Sequence, residues 1–321
     1  MANSNFTQGL ALYSAALLST LAGGLAWADD AKVQQAPGYY HMNVGELRIT
    51  ALNDGTGAMP AHRLLHWDED KIKAALAAEY LTSPVEGSIN SFLVDTGEQQ
   101  VLIDTGMGSG VRESLGKLQS HLNAAGYQAA DIDAIYITHM HGDHIGGLVD
   151  GEQRAFPNAT VYVHEDEAGY WLNQEQMQQV AEERRGGFKN AMRVFGPYQQ
   201  ANALVTFSDG EQLHEGIVVN PTPGHTPGHS VYHLQSQGET MVLWGDTLHV
   251  AAVQFPYPQV TIAYDSNPEQ ARAQRLQLFK TIAENGYWVG GAHISFPGIG
   301  RLKQVNDGYR WIPANYTTDI Q

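Results

Sequence analysis

The chain has 321 residues, 43% of them hydrophobic and 16% charged, a globular composition with length enough to bury a large core, which excludes a disordered chain. Its 34 acidic residues against 18 basic ones leave a formal net charge of −16, which argues against nucleic acid or an anionic membrane as partner, since polyanion binders need clustered Lys and Arg. There is no cysteine, so disulfides, thiolate metal sites and cysteine nucleophiles are excluded.

The N-terminus reads as an export signal. Leu10 to Leu25 is almost wholly apolar or small, and Ala26-Trp27-Ala28 fits a small-residue cleavage pattern before Asp29-Asp30, although no Lys or Arg lies between Met1 and Gly9. The expectation is a signal peptide over residues 1–28 and one mature domain over 38–321, periplasmic or secreted, with no membrane attachment after cleavage. Leu47 to Leu52, Ile89 to Asp95 and Gln100 to Ile103 read as strands, the last two joined by a hairpin-like turn. Ser109 to Ala125 reads as a helix, with apolar residues at spacings of three and four and Gly126 as its stop. Ala134 to Thr138 and Thr160 to Val163 are short strands, and Glu175 to Phe195 is a polar, helical excursion. Ile217 to Asn220, Ser230 to Leu234 and Thr240 to Trp244 are strands of a second half. Asn267-Pro268-Glu269-Gln270 starts a helix running to about Glu284, with Leu276, Phe279, Ile282 and Ala283 on one face. Trp288 to Gly291 is the last central strand. The pattern predicts an α/β sandwich of αββα type: two mixed β-sheets packed face to face, with helices on both outer faces.

The chemistry is concentrated in Thr138-His139-Met140-His141-Gly142-Asp143-His144. Three imidazoles and a carboxylate follow an apolar strand directly, and they are ligand types that zinc, manganese, cobalt and iron accept. His225, in the turn Pro223-Gly224-His225-Thr226-Pro227-Gly228-His229, Asp246 after Val242-Leu243-Trp244-Gly245, and His293 after Val289-Gly290-Gly291-Ala292 each end an apolar run. Any one alone is a weak signal; with the cluster they make seven ligands, the number for two metal centres sharing a bridge. Asp95-Thr96-Gly97 and Asp104-Thr105-Gly106 look like the paired motif of aspartic proteases, but they lie nine residues apart on one hairpin and read as turns.

This ligand set resembles that of the dinuclear metallo-β-lactamase-like hydrolases. The resemblance implies two divalent metal ions, zinc first among them, with His139, His141 and His225 on one, Asp143, His144 and His293 on the other, and Asp246 as the bridge; Asp143 and Asp246 are the carboxylates read as catalytic. Two such ions roughly 3.5–4 Å apart can hold a bridging hydroxide and polarise a carbonyl or phosphoryl oxygen. Asp104 and His229 are candidates for fixing the imidazole tautomers. Ala36-Pro37-Gly38-Tyr39-Tyr40, Ile135 to His141, Val250 to Phe255, Ala292 to Gly300 and Tyr309 to Tyr316 are similar to methyl parathion hydrolase and its lactonase and arylesterase relatives. That resemblance implies a homodimer acting on small neutral esters: lactones, aryl esters and, further off, organophosphate triesters. Met107-Gly108-Ser109-Gly110-Val111 lacks the bulky Phe of the phosphotriesterases, and His249 stands where they have an aliphatic residue. Ile262 and Tyr264, by matching position, and His249 are expected in the substrate pocket. Trp171 and Phe188, in the excursion after the metal loop, are read as pocket residues too, since flap segments carry binding residues. A thioester hydrolase of glyoxalase II type, or a β-lactamase, shares the ligands and is the alternative.

Overall fold

The computed structural model describes residues 35–320; the expected signal peptide lies outside the described residues. From Pro37 onward the chain folds as one unit by its internal contacts. Among the described residues two seven-stranded sheets carry the fold. The first contains, in spatial and chain order, β1 (Tyr39–Val44), β2 (Leu47–Met59), β3 (Val85–Asp95), β4 (Gln100–Ile103), β5 (Ala134–Tyr136), β6 (Thr160–His164) and β7 (Leu204–Phe207). Pairing is antiparallel from β1 to β4 and parallel from β4 to β7. The second runs β8 (Gln212–His214), β9 (Ile217–Pro221), β10 (Ser230–Ser236), β11 (Glu239–Leu243), β12 (Trp288–Gly290), β13 (Ile299–Val305) and β14 (Gly308–Pro313). Only β11 and β12 are parallel there.

The strand period of two sorts the apolar residues into layers. Phe92, Val94, Val101, Ile103 and Tyr136 point between the sheets and meet Ile217, Val219, Tyr232, Leu234 and Leu243. Their neighbours Leu93, Leu102 and Ile135 point outward against helices α2 (Leu118–Ala124) and α4 (Arg185–Gln200). On the far face Val231, Val242 and Val289 pack on α5 (Pro268–Asn285). A smaller cluster joins Ile72 and Leu76 of α1 (Glu69–Ala78) to Leu65, Val253 and Ile262. The αββα sandwich is therefore present as read.

Three local readings are corrected. The strand expected to stop at Leu52 runs to Met59 through a bulge between Asn53 and Gly55. Its second half (Gly55, Gly57, Ala58) has no apolar alternation and is held by its ladder to β3. The helix read over Ser109 to Ala125 begins only at Leu118. Gly108, Gly110 and Gly116 adopt positive φ, and the loop is gathered onto the buried Asp54 carboxylate, which accepts from the amides of Met107, Gly116 and Leu118. Helix α5 starts as expected, with Asn267 capping Gln270 N, but its buried face is Ala271, Arg275, Leu278, Phe279 and Ile282, and Leu276 is exposed. A buried arginine is what hid the true stripe.

Candidate metal centre

The seven ligand-type residues come from four segments, each leaving the C-terminal end of a strand. β5 runs into His139 and His141, and the short helix Gly142–Ile145 that follows carries Asp143 and His144. His225 stands in the turn from β9 to β10, Asp246 just past β11, and His293 just past β12. The donor atoms of His139, His141, His225 and Asp246 lie within 4.8 Å of one another, as do those of Asp143, His144 and His293, and those of Asp246, His249 and His293.

Asp246 joins the groups. Its Oδ2 lies 3.2 Å from His225 Nε2 and 3.5 Å from His139 Nε2, and its Oδ1 lies 3.0 Å from both His144 Nε2 and His293 Nε2. His141 Nδ1 is 3.1 Å from His139 Nε2 and 3.0 Å from His225 Nε2. Asp143 Oδ2 is 3.5 Å from His293 Nε2 and 3.7 Å from His144 Nε2.

The outer nitrogens decide what these contacts are. His225 Nδ1 lies 2.9 Å from Asp265 Oδ1, His144 Nδ1 2.8 Å from Asp104 Oδ2, and His293 Nδ1 2.9 Å from the Ser88 carbonyl. Carboxylate and carbonyl oxygens only accept, so each neutral ring keeps its proton on Nδ1 and turns a bare Nε2 lone pair inward. Lone pairs thus converge on a carboxylate that also only accepts. His144 Nε2 and Asp246 Oδ1 are buried and without a hydrogen-bond partner. The residues fit two divalent ions by donor type and number.

Asp104 also accepts from Thr138 N and Thr138 Oγ1, at 2.8 and 2.7 Å. His229 sits behind the bridge: its Nε2 accepts the Asp246 amide at 3.0 Å and its Nδ1 faces Thr222 Oγ1 at 2.9 Å. Gly245, at φ 51°, makes that approach possible, because a Cβ there would come 2.8 Å from His229 Nε2.

In the metal-free protein, the carboxylates and the rings shift one another's protonation instead. Burial opposes ionisation of Asp246, but His144 and His293 outweigh it and hold the carboxyl well below its ordinary range. Burial also opposes protonation of His225, yet its bonds to Asp246 and Asp265 raise it to about 9. His144 and His293 are raised in the same way, against burial, chiefly by Asp246. His141 and His229, where burial wins, fall to about 3, and His249 to about 4.

A cavity of about 380 Å³ opens onto the cluster at His141, Asp143, Asp246 and His293. His249 lines it, with Nε2 3.0 Å from Asp246 Oδ2 and its ring stacked on His293, and so does the half-exposed Tyr264. Trp171, Phe188 and Ile262 are not among the lining residues. Phe188 is 1% exposed and packs against Tyr170 and Trp171; Trp171 meets the His141 ring in a T-shaped contact; Ile262 belongs to the cluster around α1. The excursion's helical periodicity turns its aromatics inward. The walls come instead from Met59, Ile89, Met107 and Leu115, with the facing glycines Gly57 and Gly87 and the exposed Arg112. Sequence reasoning passed over these, and over Asp265 and Glu167. Asp265, ahead of a helix start, looks like turn chemistry, and Glu167, in Glu165-Asp166-Glu167, looks like a solvated acidic run.

Fold and cluster together define a class. The family profile described as the metallo-beta-lactamase superfamily matches residues 84–286, and the chain belongs to that superfamily. The crystal structure of the hydrolase AbOPH, described as in the beta lactamase superfamily, is 37% identical, covering 88% of this chain and 100% of that one, with a TM-score of 0.85. AidC, a dizinc quorum-quenching lactonase in complex with a product, is 28% identical over 88% of this chain and 99% of its own, with a TM-score of 0.80. A probable metallo-hydrolase of Mycobacterium tuberculosis is 26% identical over 194 residues, 51% of this chain, and the match spans only 60% of that protein's length.

Proposed function

We propose that this protein is a hydrolase that holds two divalent metal ions, zinc first among them, and cleaves small neutral esters: lactones and aryl esters before organophosphate triesters. The observation that carries the reading is the convergence of the Nε2 atoms of His144, His225 and His293 on both oxygens of Asp246 at the floor of an open, largely apolar-walled cavity. The similarity to the dizinc quorum-quenching lactonase AidC over 88% of this chain supports the same class. His139, His141 and His225 would hold one ion, Asp143, His144 and His293 the other, and Asp246 would serve both. When bound, the ions would supply Lewis acidity toward the ester carbonyl and a water activated near neutral pH.

The chain's own part is positional. Asp265, Asp104 and the Ser88 carbonyl hold the Nδ1 protons of His225, His144 and His293, so the ligand nitrogens stay bare and aimed. His229 fixes the Asp246 backbone from behind. Met59, Ile89, Met107 and Leu115 give an ester's apolar part a place away from water.

One preparation, analysed for metal and assayed on a γ-lactone, 4-nitrophenyl acetate, a dialkyl aryl phosphate, a thioester and a cephalosporin, tests the reading. Close to two ions per chain, with the lactone and aryl ester turned over best, is expected. Two ions with turnover confined to the thioester or the cephalosporin would overturn the substrate class, and one tightly held ion with full activity would overturn the dinuclear centre.

A further inference from the structure

Glu167 is a carboxylate with no exposure to solvent, and it is not among the metal-ligand groups. It lies on the first turn of α3 (Glu165–Trp171), just after β6. Its two oxygens are both used. Oε1 accepts the backbone N–H of Met140 at 2.8 Å, and Oε2 accepts the backbone N–H of Gly228 at 2.8 Å. Met140 stands between His139 and His141; Gly228 stands between His225 and His229. One side chain therefore joins the two turns that carry the three histidines of a single metal group, although those turns leave different sheets.

The surroundings are built for this contact. A Cβ on Gly228 would come 2.4 Å from Glu167 N and 2.7 Å from Glu167 Cβ, so only glycine lets the second turn approach the helix. The Thr226 hydroxyl and the Trp171 indole lie beside the same carboxylate, and Trp171 meets the His141 ring in a T-shaped contact. Burial pushes the Glu167 pKa up, and the two amides act against that rise. A carboxylate taken fully out of water is costly unless its acceptor sites are filled, and hydrogen bonds to charged groups are the stronger kind. A strut of this kind is stiff and specific in direction.

We propose that Glu167 is the positioning residue of the His139–His141–His225 metal group, locking its two ligand turns at one separation. The other group, Asp143, His144 and His293, has anchors of its own in Asp104 and Ser88. The assignment rests on the two-metal reading above. It goes further by making the two metal sites separable through a residue that touches neither.

The test is Glu167→Gln, nearly the same shape but with an NH2 in place of one acceptor, so that one of the two amides must lose its partner. Metal-free wild type and variant are titrated with Co2+ while its visible absorption is followed, and amide hydrogen exchange is measured at Met140, Gly228 and the β3 core. The expected result is selective. One Co2+ binding step weakens by about 10- to 100-fold, the range for removing a group that orients metal ligands. The other step stays as in wild type, and exchange at Met140 or Gly228 accelerates while β3 does not change. Two unchanged steps would overturn the proposal. So would both steps weakening together with faster exchange throughout, since that marks a general packing role. A wild type that takes up fewer than two Co2+ would instead sink the two-metal reading itself. If the Gln variant does not fold, Glu167→Asp, which keeps the charge but draws it back by one methylene, is read in the same way: a smaller loss confined to one step is expected, and no selective loss overturns the assignment.

Discussion

Both oxygens of Asp246 face ligand nitrogens, Oδ2 toward His139 and His225 and Oδ1 toward His144 and His293. Removing the carboxylate leaves both groups one donor short. Asp246→Ala is expected to lower kcat/KM on every substrate by about 10³-fold or more, roughly 4 kcal/mol of transition-state stabilisation, with metal content falling in parallel; near-normal turnover of any good substrate would remove Asp246 from the bridge. His249 is the subtler case. It lines the cavity and touches Asp246 Oδ2, and its Nδ1 is buried without a partner. A desolvated, unpaired nitrogen disfavours a bulky apolar group beside it. His249→Leu is expected to keep both metals and to raise kcat/KM for a phosphotriester relative to a lactone. An unchanged ratio would take it out of substrate selection, and lost metal would place it among the ligands. The seven donors could be found in the sequence because chemistry restricts them to His and Asp at strand ends. Of the residues that aim them, Asp104 could be read as a strand-end carboxylate near the cluster, and it meets His144 Nδ1; the others could not, since Asp265 lies 40 positions from His225 and Ser88 lends only a backbone carbonyl, so neither leaves a side-chain pattern to read.

At the scale of elements, loops and buried charges set the site, and these are where periodicity misleads. The apolar spacing over Ser109 to Ala125 suits a helix, yet three glycines at positive φ and the Asp54 carboxylate turn its first half into a loop that brings Met107, Arg112 and Leu115 to the cavity. Long apolar strands bounded by turns could be read correctly because strand period and burial agree in them. The stripe on α5 could not, because it contains Arg275. That guanidinium is 1% exposed and donates to the carbonyls of Thr247, Pro258 and Val260, with Asp265 3.9 Å away. It thereby ties α5 to the segment after Asp246 and to the approach to Tyr264. Arg275→Met fills much of the volume but orphans the buried Thr247 and Pro258 carbonyls, while Val260 keeps its bond from Gln254. The expected loss is about 3–5 kcal/mol in urea unfolding of the metal-free protein. A loss under about 1 kcal/mol, the usual surface range, would mean that water replaces the guanidinium.

For the whole molecule, the buried histidines and the metals together set how stability depends on pH. In the metal-free protein, His225 is raised to about 9, and His144 and His293 are raised too, against burial, by Asp246 and its neighbours. Unfolded histidine titrates near 6.5. Between those values the folded chain keeps protons that the unfolded chain has released, so this stability is fully present below about pH 6.5 and is lost as pH rises toward 9. His141 and His229, lowered to about 3, and His249, lowered to about 4, act on the other side. As pH falls below about 6.5, the unfolded chain takes up protons that these buried rings refuse, and stability declines. The metal-free protein should therefore show its highest Tm near pH 6.5–7. Zinc changes the balance, because it binds the unprotonated ligands and so rewards the state that high pH produces. With zinc present the maximum should move above pH 7.5, and at pH 8 chelation should lower Tm by on the order of 10 °C. Thermal unfolding from pH 5 to 9.5, with and without zinc, is the measurement. Maxima at the same pH in both forms would mean that the histidines raised in the metal-free protein are not the groups that bind the ions.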